Sequence, residues 1–499
     1  VKAWESKNAK NAAKAGGISM MALSLAACGG SSTTTTTATD TTTDTTTTTV
    51  AGTSANFTTG FDTLTGGAGD DSFAGMQANG GATETLSSYD SVDGGAGTDS
   101  IVIVNSTANA FAGPTFTSIE TVEYRATKAG ANLDFDEIAG ATTVILKGTV
   151  GATDFSDVLT TQTVSVVDSG LALNTNITYK ASTVTGSADA ATITFDGAGD
   201  ANNIGDIELS GAVETITILS TGENSRFADL DIDAVTTTLN LTSTADLHVD
   251  AALTAAGVTT INVSGAGATR LDDGGAAVTT FNASTATGNV TAVFDEATNV
   301  TVTGGAGDDT FDFVATLTKN DVIDGGAGAD TLLVTPTATI NGDISITNIE
   351  TIRIGDVANT TSLDLDNVAG ITAVRQSSGT GSNITTLRDL ATTAATLNYT
   401  GAGLVNTTAA FDTVITDYDS TTDIALLTVN ITNGGVTTSG DAEIVTGSEF
   451  DGADKVVINA SDWGTGTGDV VTLNTINADS ANVIEINSNT DVSVTIAGM

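Results

Sequence analysis

The sequence predicts an all-β chain wound as a parallel β-roll or β-solenoid, of the right-handed β-helix kind, and three observations carry that prediction. First, 40% of residues are apolar but only 4% are aromatic, and there are 55 Gly and 2 Pro. Small β-branched residues in a thin repetitive β-structure reconcile these figures, because a thick globular core needs larger side chains. Second, a strand pattern recurs at VTTTLNLTS (235–243), VTTINVSGA (258–266), VTTFNASTA (278–286) and ATNVTVTGG (297–305). Thr and Asn alternate there with apolar residues, as in strands buried on one side. Leu239, Ile261, Phe281 and Val300 are expected at equivalent places, and a coil of about twenty residues suits a solenoid. Third, a glycine-rich turn occurs four times, each copy followed at once by a strand-like residue.

The elements follow in chain order. Residues 1–27 read as a lipoprotein-like signal peptide. Lys2, Lys7, Lys10 and Lys14 precede an apolar run at 15–27, which is too short to span a bilayer as a helix. The run ends in Leu25-Ala26-Ala27-Cys28, which resembles the bacterial lipobox and marks Cys28, the single cysteine, for lipidation. Residues 28–55 read as a Thr-rich tether. Between 31 and 50 every position is Thr except Ser31, Ser32, Ala38, Asp40, Asp44 and Val50, so the tract offers no apolar face to bury. The body divides into a first module at 56–150, solenoid repeats at 151–296, a second module at 297–380 and a C-terminal β region at 381–499. Segments 133–140, 227–235 and 387–395 are expected as short helices or turns.

The turn copies begin at Gly66, Gly94, Gly304 and Gly325. They read GGAGDDSF, GGAGTDSI, GGAGDDTF and GGAGADTL. Each fits G-G-x-G-x-D-x-U-x with U apolar. Glycines permit φ > 0 and let carbonyls approach an ion, and aspartate supplies the hard anionic oxygen that calcium prefers. This pattern resembles the hemolysin-type calcium-binding repeat of RTX proteins. The resemblance implies a β-roll with Ca2+ between stacked turns, held by turn carbonyls and the motif aspartate. The residues it implies are Gly66, Ala68, Asp70 and Asp71; Gly94, Ala96 and Asp99; Gly304, Ala306, Asp308 and Asp309; and Gly325, Ala327 and Asp330. Asp62, Asp90 and Asp321 stand four positions before a first Gly, and Asp93 and Asp324 stand directly before one. Of these, Asp90 and Asp321 are taken as candidate calcium ligands. The copies are paired, at offsets of 28 (94 − 66) and 21 (325 − 304), so each pair is expected to form adjacent coils. The long tandem blocks of the family are missing.

A larger duplication encloses the pairs. Thr117-Ser118-Ile119-Glu120-Thr121-Val122 returns as Thr347-Asn348-Ile349-Glu350-Thr351-Ile352, an offset of 230 (349 − 119), and LDFDEIAGATTV at 133–144 returns at 363–374.

Charge and composition exclude several functions. The formal net charge is −45. Beyond Cys28 there are 11 basic against 59 acidic residues, a balance of −48. Nucleic acid and anionic membrane surfaces repel such a chain, so membrane attachment is expected only through a lipid at Cys28. One histidine, His248, rules out H-E-x-x-H, which needs two; it is expected on the solvent side of a strand. No G-x-S-x-G is present, and the glycine-rich turns lack the lysine of a phosphate loop.

The sequence therefore reads as a non-enzyme. The expected function is a calcium-binding extracellular structural protein, an S-layer-like subunit or cell-surface coat ordered and associated by Ca2+. The expected partner is a second copy, a cell-surface component or a glycan. An adhesin or glycan-binding module, a phage or particle-surface fibre, and a calcium-dependent polysaccharide-degrading β-helix enzyme are the alternatives.

Overall fold

The computed structural model describes residues 51–377 with short gaps, and from 378 to 496 chiefly the strands. The segment expected as a signal peptide, Cys28 and nearly all of the expected tether lie outside the described residues. Within them every strand pairing is parallel, and the regular helix is one 3-10 turn at Phe135–Ile138. No helix among the described residues is long and apolar enough to cross a membrane. The chain is a β-solenoid, as its composition and turn spacing imply.

Two sheets carry most of the stack. A 14-stranded sheet runs from Ser54–Asn56 to Ser345–Thr347, and a 12-stranded sheet from Ser225–Phe227 to Val483–Ser488. Six short strands from Leu133–Asp134 to Leu253–Thr254 close a third face over the middle of the chain. Inside each coil alternate residues point inward. In Ser100–Asn105 Ile101, Ile103 and Asn105 are buried, and in Thr215–Ser220 Ile216, Ile218 and Ser220 are. The ladder then stacks like on like: Ile216, Leu239, Ile261 and Phe281 lie in register on four successive strands. Parallel register thus turns a sequence repeat into a continuous apolar row, with no coil able to bury its face alone. Phe281 packs edge-on against both Phe294 and Phe311, at ring-centroid distances of 5.5 and 6.2 Å.

One register expectation is corrected. The residue opposite Phe281 is Val302, not Val300. A shift of two keeps the same side chains inward, so alternation alone cannot distinguish the two registers. Val300 is still buried, at the turn preceding the strand Thr301–Thr303.

The segments expected as helices or turns divide. Residues 133–138 are a two-residue strand followed by the 3-10 turn, and 227–235 contains the strand Leu230–Ile232. Of 387–395, residues 389–393 lie outside the described set. His248 is half-buried at the centre of the strand Leu247–Val249, between Arg226 and Arg270 on its two neighbours.

The duplicated module is visible in three dimensions. Leu133, Phe135, Ile138, Ala141 and Val144 are all buried, and so are Leu363, Leu365, Val368, Ile371 and Val374. The copies nevertheless occupy different faces. After the first pair of turns, the strands Ser72–Gln77 and Ser100–Asn105 enter the 14-stranded sheet; after the second, Thr310–Asp312 and Thr331–Val334 enter the 12-stranded one.

Candidate calcium centre

Each glycine-rich turn links two short strands. Thr63–Thr65 and Ser91–Asp93 lead into the first pair, and Thr301–Thr303 and Val322–Asp324 into the second. The apolar residue of each motif anchors the far side, with Phe73, Ile101, Phe311 and Leu332 at most 3% exposed. Phe73 faces Ile101 and Phe311 faces Leu332 across the ladder, so the two turns of a pair lie on adjacent coils. Backbone bonds knit them: Ala96 N–H to Gly67 O (2.9 Å) and Ala327 N–H to Gly305 O (2.8 Å).

The sixth-position aspartates form a ladder of their own. Asp71 N–H donates to Asp99 Oδ1, and Asp99 N–H to Glu120 Oε2. In the second module Val290 N–H donates to Asp309 Oδ1, Asp309 N–H to Asp330 Oδ1, and Asp330 N–H to Glu350 Oε2. Every carboxylate therefore caps the equivalent backbone amide one coil earlier. The fifth-position aspartates bond in the opposite direction at the edge, to amides one coil later: Asp70 accepts from Thr98 N–H and Asp308 from Ala329 N–H.

The two members of a pair differ at the other carboxylate oxygen. Asp71 Oδ2 accepts from Gly67 N–H, and Asp309 Oδ2 from Gly305 N–H (2.7 Å). Asp99 Oδ2 and Asp330 Oδ2 have no hydrogen-bond partner, although both residues are fully buried. The cause is local. Asp93 and Asp324 precede the second turn of each pair, whereas Thr65 and Thr303 precede the first. The side chains of Asp93 and Asp324 take the N–H of Gly95 and Gly326, each at 3.1 Å, and both glycines adopt φ +94°. The amide that would have satisfied the motif carboxylate is turned away.

Electrostatics set Asp71 apart from the other three motif aspartates. Burial pushes the Asp99 carboxyl up, aided by the charges of Asp71, Glu120 and Asp70. Burial also raises Asp309 and pushes Asp330 up to about 6, with Asp309, Glu350 and Asp308 adding repulsion to Asp330. Asp71 is held below the usual carboxylate range, chiefly by the Thr53 hydroxyl. A buried carboxylate oxygen without a donor costs free energy unless a cation or a proton answers it. Hard oxygen donors of this kind suit Ca2+.

The remaining candidates sit elsewhere. Asp90 and Asp321 are separated from the turns by the strands Ser91–Asp93 and Val322–Asp324. Asp90 accepts from Asp62 N–H and from Ser87; Asp321 accepts from Val300 N–H and from Thr318. Asp62 accepts from Thr58. These aspartates shape a neighbouring corner, and their oxygens are engaged by protein donors. Asp134, Asp136 and Asp157 also converge, and there Lys180 pairs with Asp136 and supplies a counter-charge.

A model of the RTX calcium-binding nonapeptide repeat, four copies long, matches residues 58–80, 293–313 and 311–333. These segments are RTX calcium-binding repeats. No curated protein matches the chain. The family match covers the first, third and fourth RTX turns, and the second, at 94–101, stacks on the first in the same ladder. Glu120 and Glu350 complete the RTX ladders and were not among the residues expected at the site. Their signal was the I-E-T sequence repeated at an offset of 230 (349 − 119), which reads first as a strand duplication.

Proposed function

We propose that this chain is a calcium-ordered extracellular structural protein, an S-layer-like subunit or cell-surface coat, held to its membrane through a lipid on Cys28. The observation that carries the reading is the pair of buried, partnerless carboxylate oxygens, Asp99 Oδ2 and Asp330 Oδ2, set in RTX turns of a body this acidic. RTX calcium-binding repeats are typical of secreted proteins. Millimolar calcium, the range of extracellular modules, would neutralise the turns and order the coils. It would also lower the repulsion between copies that a net charge of −45 imposes. Repeated chemistry along a stacked body suits contact over an area better than turnover in one pocket.

Light scattering and electron microscopy across a calcium titration test this, beside a glycan and cell-binding screen and an assay for polysaccharide cleavage. Sheets or multimers that form with calcium and dissolve in EGTA are the expected result. A protein that stays monomeric and binds a glycan or cell would be an adhesin instead. Release of sugars from a polysaccharide would make it an enzyme and overturn the reading.

A further inference from the structure

The four RTX turns leave four similar cradles. A Cβ built on the first glycine of each would lie between the motif carboxylate of its own turn and a backbone carbonyl of the next coil. On Gly66 it would be 2.2 Å from Asp71 Oδ2 and 2.0 Å from Gly94 O; on Gly304, 2.8 Å from Asp309 Oδ2 and 1.9 Å from Gly325 O. On Gly94 it would be 2.4 Å from Asp99 Oδ2 and 2.0 Å from Ser118 O; on Gly325, 2.8 Å from Asp330 Oδ2 and 1.9 Å from Asn348 O. In the second and fourth cradles the facing coil carries no RTX motif. Ser118 and Asn348 nonetheless hold φ of 51° and 52°, rare for residues with a side chain, and present their carbonyls where a motif glycine would. Two positions on, Glu120 and Glu350 accept the amides of Asp99 and Asp330 at 2.8 Å each.

We infer that each module binds a divalent cation between its last RTX turn and a following turn that lacks the motif. Asp99, the Ser118 carbonyl and Glu120 form one site, and Asp330, the Asn348 carbonyl and Glu350 the other. The inference rests on the calcium-binding reading and adds where the demand for the ion is greatest. In the first and third cradles Gly67 and Gly305 already satisfy the carboxylate. In the second and fourth the carboxylate oxygen is buried, partnerless and flanked by a further carboxylate, so an ion there answers the larger uncompensated charge. The same arrangement arises in both modules, from turns written Thr-Ser-Ile-Glu and Thr-Asn-Ile-Glu.

Calorimetry with calcium alone, on the full chain, tests this with the double variant Glu120→Gln/Glu350→Gln. Glutamine keeps an acceptor for the Asp99 and Asp330 amides while it removes the charge and replaces one carboxylate oxygen with an NH2 group. Far-UV circular dichroism and melting in EGTA report whether the variant folds as the parent does. The expected result is calcium affinity about tenfold weaker or worse for two of the bound ions, with the fold retained. Asp99→Asn/Asp330→Asn, which keeps the ladder acceptor, should abolish the same two binding events. Unchanged affinity and stoichiometry in the glutamine variant, while the parent binds calcium, overturns the inference alone. A parent chain that binds no calcium overturns the calcium reading itself, and this inference with it.

Discussion

The backbone N–H of Asp309 donates to Oδ1 of Asp330, 2.7 Å away on the following coil. One oxygen of Asp330 is thus spent on holding the previous coil, while the other, Oδ2, is buried with no partner. The residue is a stacking bond and an unanswered charge together. That double role makes stability, metal binding and pH interdependent in this protein.

Calcium removal should lower the melting temperature. An ion that binds the stacked coils and not the unfolded chain stabilises by mass action, by about 2.7 kcal/mol at a hundredfold excess over its dissociation constant. Calorimetric scans in millimolar calcium and in EGTA check this, and coincident transitions would contradict it.

Asp330→Asn should act in opposite directions in the two conditions. The amide oxygen still accepts from Asp309 N–H, and the buried charge is gone. In EGTA at neutral pH the variant should melt above the parent, and in calcium below it. Asp309→Ala should destabilise in both, because Val290 N–H and Gly305 N–H lose their acceptor at roughly 1–3 kcal/mol for each buried donor.

The metal-free protein should gain stability on acidification. The Asp330 carboxyl is raised to about 6 when folded, above its value in the unfolded chain near 4. The folded state therefore holds the proton more tightly, and ionisation penalises folding as pH rises through that window. Lowering the pH from 7 to about 4.5 in calcium-stripped buffer should raise the melting temperature, with roughly 2 kcal/mol realised from this group over that range. With calcium bound the sign reverses, because protons then displace the ion. A metal-free melting temperature that falls over the same range would contradict the assignment.

Glycine substitutions should separate the cradle from the rest of the turn. Gly94→Ala places a methyl 2.0 Å from the Ser118 carbonyl oxygen, so two coils must move apart, at a cost of about 1–3 kcal/mol or more. Gly67→Ala meets nothing within 4 Å and should stay within about 0.5 kcal/mol of the parent. Denaturant unfolding in EGTA measures both. Equal losses would mean that turn conformation, not the space between coils, sets the requirement for glycine.

Much of this architecture was written in the primary structure. Alternation of Thr with Ile, Leu or Val specifies strands with one buried side, and repetition at about twenty residues specifies coils that stack in parallel. Turn offsets of 28 and 21 place Asp71 beside Asp99 and Asp309 beside Asp330, because every intervening residue must fit within one coil. The GGAG turns identify the calcium chemistry before any fold is known. Three-dimensional stacking decided the rest. Val302 rather than Val300 opposes Phe281, since a two-residue slip leaves the inward face unchanged and only the ladder selects between them. The two modules sit on different faces, because the number of strands per coil changes along the middle of the chain, which local pattern does not encode. Asp99 and Asp330 lack a donor, and Glu120 and Glu350 stand beside them, because neighbours in a solenoid are one coil away, not one residue away. A sequence states which residues each coil carries; only the stack determines which carboxylate meets which carbonyl across the gap.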